Sequence, residues 1–220
     1  MRPMINSIKL AQKKDIKYYS KITIYNPFNY ILKRVIDYSI SLPLLIISSP
    51  LILYSAYKIK KESPESSVFF KQLRVGQNNK SFICYKLRSM RTDIDYSNKY
   101  TQEKDPRVFP WGNFMRKRRI DELPQLWNVL KGDMHLIGPR AEWDELVKNY
   151  EQDIPHYKLR HIVKPGITGW AQVKYRYGAN LEDTKQKLIY DLYYIENWSL
   201  WLEIKTIWLT IKVVLGRKGL

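Results

Sequence analysis

The sequence predicts a mixed α+β fold that is mostly helical and is attached to one face of a membrane. Three observations lead to this prediction. Segment 38–57 has no charged residue, although Pro43 and Pro50 interrupt it. β-forming residues on both sides of the polar stretch 76–79 indicate a small β-hairpin. After the hairpin, helical patterns prevail, among them an acidic amphipathic segment at 141–152.

Length and composition exclude several classes of protein. The 220 residues suffice for one domain with a hydrophobic core. With a single cysteine, Cys84, the chain forms no internal disulfide and no thiolate metal module. Its net charge is +17, and most of the excess lies before residue 92. This gradient favours a polyanion near the N-terminal half, either a nucleic acid or a phospholipid surface, and a lysine-rich proteome is the alternative.

The uncharged segment is the main indication of a membrane. As a straight helix, residues 38–57 would be about 30 Å long, which is one hydrocarbon thickness. Pro50 lies near the middle and forces a bend. Cations on both sides favour keeping both ends in the cytoplasm; they are Lys33, Arg34, Lys58, Lys60 and Lys61. We expect a re-entrant helix bent at Ser49-Pro50, in which Ser48 and Ser49 bond the freed carbonyls. A spanning helix and a buried core helix are the alternatives.

This segment divides the chain into three parts. Residues 1–29 form a polar basic arm, residues 30–61 the re-entrant membrane hairpin, and residues 62–220 a domain at the membrane surface. The last helix, at about 199–215, carries tryptophans among scattered charges. Such a helix suits the headgroup layer of a bilayer, and packing against the protein core is the alternative.

Turn signals and periodicity predict the elements of the third part. They are a hairpin within 67–90, a polar loop at 92–105, a helical region at 114–132 with a break near Asp121, a helix at 141–152, a turn-rich loop at 165–169, and a helix at 181–194.

The stretch RKRRIDELPQLWNVLKGDMHLIGPR, residues 116–140, has the highest density of chemically informative residues. Asp121 and Glu122 are adjacent, and Pro124 suits the first turn of a following helix. One interpretation is structural: Asp121 caps that helix and Glu122 lies in its first turn. The other is chemical, because the surrounding cations would bind oxyanions and lower the pKa of both carboxyl groups. An ionised carboxylate is suited to attack phosphorus or to hold a metal, and unsuited to general-acid catalysis.

Further cations are candidates for phosphate binding. Arg116 is the first of four consecutive cations just before the acidic pair. Arg140 follows the stiff turn Gly138-Pro139, where a guanidinium suits bidentate contact with a phosphate. Lys86 and Arg88 lie close together at the end of the predicted strand, and we expect only one of them to face the site. For each cation alone, a solvated surface position is the alternative.

The order and spacing of these motifs resemble the bacterial sugar transferases that act on polyprenyl phosphate, the monotopic phosphoglycosyltransferases. The matching segments are KRVIDYSISLPLLIISSP (33–50), FKQLRVG (70–76), YKLRSM (85–90), DPRVFPWGNFMRK (105–117), IDELPQLWNVLKGDMHLIGPR (120–140), PGITGWAQV (165–173) and YDLYYIENWSLWLEIK (190–205). They cover nearly everything after residue 30. The resemblance is to the catalytic module, without the extra N-terminal membrane domain that larger relatives carry.

The resemblance implies an enzyme that transfers a sugar 1-phosphate from a UDP-sugar to polyprenyl (undecaprenyl) phosphate and releases UMP. Asp121 matches the nucleophile that forms a covalent phosphosugar intermediate, and Glu122 matches its partner, which binds Mg²⁺. Phosphate binding is implied for Lys86, Arg88, Arg116 and Arg140. A place on the nucleotide side is expected for Gly166, Thr168, Gly169, Trp170 and Gln172. The membrane motif comprises Lys33, Arg34, Ser49 and Pro50.

The same resemblance implies a place in the cell. The expected location is the cytoplasmic face of a bacterial inner membrane, where the product enters exopolysaccharide, capsule, O-antigen or glycoprotein glycan assembly. The bilayer is then a partner, downstream glycosyltransferases are possible partners, and nucleic acid is not. Departures from the family pattern occur at His135, Ala141 and Lys174. A basic nucleic-acid-binding protein and an inactive membrane scaffold are the alternative functions.

Overall fold

The computed structural model describes residues 26–94, 105–175 and 180–216. In these residues the fold is mostly helical, with two small two-stranded sheets and one long apolar helix, which confirms the α+β prediction. Most of the predicted arm at 1–29 lies outside the described residues, as does most of the predicted loop at 92–105.

The long helix, α1 (Pro27–Glu62), contains the uncharged segment. It begins before the predicted boundary at 30, because Asn26 caps it by accepting the Phe28 N–H at 3.0 Å. In the described part of the chain, α1 is the one helix long and apolar enough to cross a membrane, and only 11% of its apolar window is buried in the protein. This exposure contradicts the alternative of a buried core helix.

Helix α1 continues through both of its prolines. Pro50 has no N–H, so the carbonyl of Ile46 loses its helical partner. The Ser49 hydroxyl donates to that carbonyl at 2.7 Å, and the Ser48 hydroxyl donates to the carbonyl of Leu45 at 3.3 Å. The prediction that these serines bond the freed carbonyls is therefore confirmed for Ser49, whereas Ser48 bonds a carbonyl that Pro50 does not free.

The predicted hairpin is present. Strand β1 (Phe69–Val75) pairs antiparallel with β2 (Ser81–Leu87). A short 3₁₀ turn, Gln77–Asn79, joins them, and its two asparagines, Asn78 and Asn79, adopt the left-handed conformation that asparagine tolerates.

The predicted break at Asp121 is also present. Helix α2 (Pro110–Lys117) and helix α3 (Gln125–Lys131) are separated by the 3₁₀ turn Ile120–Glu122. Gly132, in the left-handed conformation, ends α3 at the predicted end of the helical region 114–132. The remaining elements are β3 (His135–Ile137), α4 (Asp144–Asp153), the 3₁₀ segment Tyr157–Ile162, β4 (Gly166–Thr168), α5 (Trp170–Lys174), α6 (Leu181–Glu196) and α7 (Leu200–Leu215).

The turn-rich loop predicted at 165–169 is instead largely a strand. β4 pairs in parallel with β3, and Gly166 lies opposite His135. A Cβ atom on Gly166 would lie 2.1 Å from the backbone nitrogen of Gly138, and one on Gly169 would lie 2.1 Å from the carbonyl oxygen of Gly138. The glycines therefore permit close packing of two backbone segments. From the sequence alone, the same glycines indicated only a turn.

Two apolar clusters form the core. The larger one joins the 3₁₀ segment Tyr157–Ile162 to α6 and to the start of α7, through side chains that include Tyr157, Leu192, Ile195 and Leu202. The smaller one lies between the end of α1, β2 and α2, and its buried members are Ile59, Leu87, Phe109, Met115 and Ile120.

The last helix, α7, has two different faces. Leu202, Glu203 and Thr206 are buried. The opposite face is exposed and apolar, and its members are Leu200, Trp201, Ile204, Trp208, Ile211 and Val214. Packing against the protein core is therefore confirmed for the buried face, and contact of the exposed face with headgroups stays a prediction.

Candidate active site

Asp121 and Glu122 lie together in the 3₁₀ turn between α2 and α3. Arg119 precedes this turn with a φ of 59°, a left-handed conformation that redirects the chain after α2. Pro124, not Asp121, is the N-cap residue of α3. The structural interpretation of Asp121 as a helix cap is therefore wrong.

Glu122 is surrounded by cations. Its Oε1 accepts from Lys86 Nζ at 2.8 Å and from Arg140 Nη2 at 3.1 Å. Arg119 Nη1 lies 3.6 Å from Oε2. Burial by itself would raise the pKa of Glu122, but the three positive charges together hold it well below its usual value. Glu122 is thus a permanently charged anchor of the site.

Asp121 differs from its neighbour. The residue is 9% exposed, and its Oδ1 is buried without a hydrogen-bond partner in the described part of the chain. Burial, and then the negative charge of Glu122, raise the pKa of Asp121 despite the nearby positive charges. The expectation that the cations lower the pKa of both carboxyl groups is therefore confirmed for Glu122 and wrong for Asp121. The reason is that burial and the charge of Glu122 together outweigh the effect of the cations on the pKa of Asp121.

Strand β2 brings Lys86 to the site, and a buried side chain holds the strand there. Asn128 of α3 accepts the Tyr85 N–H at 3.1 Å and donates to the carbonyl of Ile83 at 2.7 Å. These bonds join the outer edge of β2 to α3. This helix directly follows Asp121 and Glu122, which we call the dyad. Asn128 was not predicted as a site residue, since a buried asparagine has no distinctive sequence pattern.

Arg140 is held by its backbone. Its carbonyl accepts from Arg160 Nη2 at 2.9 Å, and Arg160 in turn pairs with Asp191 of α6 at 2.7 Å. The turn before Arg140 packs against Gly166 and Gly169, as described above. The fold thereby directs the Arg140 guanidinium to Glu122, and sequence analysis did not identify Arg160 as part of this support.

The other two cations have different surroundings. Arg116, near the end of α2, contributes positive charge that opposes the raised pKa of Asp121. Arg88 lies one residue beyond the end of β2, and its guanidinium binds the loop after α1 through Ser63, Glu65, Ser66 and Ser67. Only Lys86 of the two faces the site, as expected, because β2 ends at Leu87 and the chain directs Arg88 to the loop after α1. Arg88 is buried and bound to this loop, so the structure does not bring it to the dyad as a phosphate ligand.

The PGITGWAQV residues support the site more than they line it. Gly166 and Gly169 pack on the turn before Arg140, and the Thr168 hydroxyl lies 2.8 Å from the Thr210 hydroxyl of α7. Trp170 is buried against Tyr193, with its indole N–H unpartnered in the described residues. Gln172 donates to the carbonyl of Ile167 at 3.3 Å. A nucleotide contact of this segment stays a prediction.

The predicted membrane cations also need revision. Lys33 is 2% exposed and donates to Glu203 of α7 at 2.8 Å, so it contacts protein and not headgroups. Arg34 is 13% exposed and binds carbonyls near the end of α3. Helical periodicity alone does not reveal that Lys33 and Arg34 contact protein, because their partners lie far away in sequence.

The two carboxylates of the dyad are possible ligands for Mg²⁺. This ion usually takes one or two carboxylates and completes its shell with waters and substrate phosphates. Within the described ranges, no group of three or more His, Cys, Asp or Glu side chains is arranged to hold a metal. The dyad fits the smaller donor set, because among the described residues Asp121 Oδ1 has no hydrogen-bond partner and Arg119 lies 3.6 Å from Glu122 Oε2.

The chain is similar to known proteins along most of its length. The chain matches the family model of the bacterial sugar transferases over residues 28–217. It is 46% identical over 195 residues, 88% of this chain and 46% of the relative, to a UDP-N-acetylgalactosamine-undecaprenyl-phosphate N-acetylgalactosaminephosphotransferase of Aeromonas hydrophila. It is 41% identical over 187 residues, 83% of this chain and 40% of the relative, to a UDP-glucose:undecaprenyl-phosphate glucose-1-phosphate transferase of Escherichia coli K12.

A third relative is closer in length. An uncharacterized sugar transferase of Bacillus subtilis is 40% identical over 192 residues, which are 86% of this chain and 90% of the relative. The chain thus spans less than half the length of the first two relatives and nearly all of the third.

Proposed function

The chain belongs to the bacterial sugar transferase family, and from that premise we propose that it transfers a sugar 1-phosphate from a UDP-sugar to undecaprenyl phosphate and releases UMP. The names of the two substrate-defined relatives support these substrates. The observation that carries the proposal is the asymmetry of the dyad. An unpartnered carboxylate oxygen of Asp121 lies beside a glutamate that is bound to several cations.

In the first step, an oxygen of the ionised Asp121 attacks the phosphorus next to the sugar. A bond forms between this oxygen and phosphorus, the bond to the bridging oxygen breaks, and UMP leaves with that electron pair. Lys86 and Arg140 stabilise the negative charge of the transferred group, because they are fixed at the site by Glu122 before substrate arrives. Arg116 adds positive charge on the α2 side.

In the second step, a phosphate oxygen of undecaprenyl phosphate attacks the same phosphorus. The bond to Asp121 breaks, the carboxylate is restored, and undecaprenyl diphosphosugar is the product. Asp121 and Glu122 would hold Mg²⁺, whose charge would neutralise the diphosphate. The product is the substrate of downstream glycosyltransferases.

For the membrane part, we propose that α1 is re-entrant and leaves the active site at the cytoplasmic face. Both ends of α1 contact the same body: Lys33 pairs with Glu203, and Ile59 packs against Leu87 and Met115. A spanning helix would put those ends on opposite sides of the bilayer, where one body of this size could not meet both. The exposed apolar face of α7 would rest in the headgroup layer.

The test uses the protein in lipid nanodiscs with undecaprenyl phosphate and a panel of UDP-sugars. Asp121→Asn should lower UMP release by about 10³-fold or more, because the amide cannot serve as the nucleophile. Asp153→Asn, the same change at an exposed position of α4, is the matched control and should keep full activity.

A second readout addresses the intermediate directly. Intact-mass spectrometry of the wild-type protein mixed with the active UDP-sugar alone should show the added mass of a sugar phosphate, and Asp121→Asn should show none. Full turnover by Asp121→Asn, or no adduct in an enzyme that turns over, would contradict the proposed mechanism.

A further inference from the structure

The N-terminal part of α1 is bonded to the end of α3, the helix that follows the dyad. Arg34 Nη1 donates to the carbonyl of Val129 at 3.1 Å and to that of Met134 at 3.4 Å. The Tyr38 hydroxyl donates to the carbonyl of Leu130 at 3.1 Å. Arg34 also lies over the Tyr38 ring, 4.5 Å from its centroid, so the two side chains act as one unit.

These contacts are strong for a physical reason. The last carbonyls of a helix have no partner within the helix, and they form its negative end. The guanidinium of Arg34 therefore satisfies hydrogen bonds and opposes the partial negative charge of α3 at the same place. Because Arg34 is 13% exposed, water screens this interaction only in part.

A third residue of the same face extends the contact to the next strand. Asp37 Oδ1 accepts the Leu136 N–H at 2.9 Å, and Asp37 Oδ2 lies 2.5 Å from His135 Nδ1. α1 is thus joined to the end of α3 and to the start of β3 immediately before its uncharged segment begins.

Helix α3 connects this contact to the dyad. The Leu123 N–H bonds to the carbonyl of Ile120 at 3.2 Å, and the Leu126 N–H bonds to the carbonyl of Leu123 at 3.0 Å. The hydrogen bonds are therefore continuous from the dyad turn into α3. With seven residues, α3 is about 10 Å long, short enough for a displacement at one end to reach the other.

We propose that Arg34 and Tyr38 are positioning residues that set the height of Asp121 above the bilayer, and so govern transfer to the lipid-borne acceptor. This inference rests on the proposed function. The donor is soluble and can follow a displaced active site, whereas the phosphate of the acceptor is held at the depth of its own lipid. A change in the height of Asp121 therefore slows transfer to the acceptor and leaves the release of UMP unchanged.

The test separates the two steps in lipid nanodiscs. Tyr38→Phe removes one hydroxyl, and Arg34→Met removes the guanidinium. The burst of UMP release with UDP-sugar alone should stay within about twofold of wild type. Transfer to undecaprenyl phosphate should fall by about 10- to 100-fold in Arg34→Met, and by less in Tyr38→Phe, because small misplacements of reacting groups are costly. Tyr57→Phe, at an exposed position of the same helix, is the matched control and should change neither step.

A second measurement does not depend on activity. A spin label on Lys117→Cys, an exposed position four residues before Asp121, reports the depth of the site through collisions with oxygen and with a water-soluble nickel chelate. The native Cys84 is buried and is not expected to react. Arg34→Met should change the depth of the label, and Tyr57→Phe should not.

Selective loss of the second step together with a changed label depth would support the proposal. Parallel losses in both steps, no loss in either, or an unchanged depth would overturn it. If the wild-type protein releases no UMP from any UDP-sugar, the proposed function fails, and the depth of the label still decides whether Arg34 and Tyr38 position the site.

Discussion

At its N-terminal end, α1 contacts the rest of the molecule through buried charges; at its C-terminal end it uses apolar side chains. Lys33 donates to Glu203 and to the hydroxyl of Tyr194, and all three residues are almost fully buried. At the other end, Ile59 is fully buried in the smaller apolar cluster. The cations at that end, such as Lys58, lie near the surface.

This difference indicates that the two ends of α1 have different roles. Burying charge costs desolvation energy, so a buried ion pair contributes little net stability but accepts only one geometry. Apolar contacts are less directional and contribute most of the free energy of docking. The N-terminal end therefore specifies how α1 is oriented, and the C-terminal end supplies the free energy that holds it.

The largest effect is expected from removing one partner of the buried pair. Lys33→Met leaves Glu203 charged and uncompensated, and should lower the free energy of unfolding by about 3–5 kcal/mol. Denaturation in detergent micelles, followed by circular dichroism, measures this loss. Lys58→Met removes a cation at the opposite end and should cause no measurable change. Similar losses in both variants would refute the different roles of the two ends of α1.

A second substitution weakens the apolar end. Ile59→Ala leaves a cavity between α1 and the cluster, and should cost about 2–5 kcal/mol in the same assay. Ile47→Ala is the control, because Ile47 is 75% exposed and leaves no cavity in the protein. A loss for Ile47→Ala as large as that for Ile59→Ala would show that packing at this end is not the source of stability.

The smallest effect is a pH dependence of the polar end. Burial lowers the pKa of His135 to about 4, against about 6.5 in an unfolded chain. Between these values the unfolded state binds more protons, so the protein should lose up to about 3 kcal/mol as the pH falls from about 6.5 to 4.

The variant His135→Asn should reduce this slope. His161, whose pKa is lowered to about 3, retains part of it. His156→Asn is the control, since His156 is exposed and asparagine tolerates its left-handed backbone. Unfolding midpoints measured across this pH range give the dependence of stability on pH. The same dependence in wild type and His135→Asn would contradict the burial of a neutral imidazole at this position.

Local sequence patterns predicted much of this fold. The hairpin, the break between α2 and α3, and the stop at Gly132 depend on turn and cap residues that act within a few positions, so short segments are enough to reveal them. The Ser49 bond beside Pro50 is equally local. The site was predicted in part for the same reason, because Asp121 and Glu122 are adjacent in sequence.

Contacts between distant segments could not be predicted in this way. Lys33 and Arg88 have the appearance of surface or phosphate-binding cations until their partners are known. The strand β4 was interpreted as a loop, because the backbone it packs against lies about thirty residues earlier. The raised pKa of Asp121 depends on burial, which no run of neighbouring charges reveals.

The sequence by itself determined where charge is absent, where the chain turns and which carboxylates are adjacent, since these features depend on near neighbours. Only the tertiary structure decided which cations meet Glu122, which are buried elsewhere, and how α1 is joined to the helix after the dyad. The physical reason is that electrostatic and hydrogen-bond energies depend on distance and burial, and folding sets both between residues that are remote along the chain.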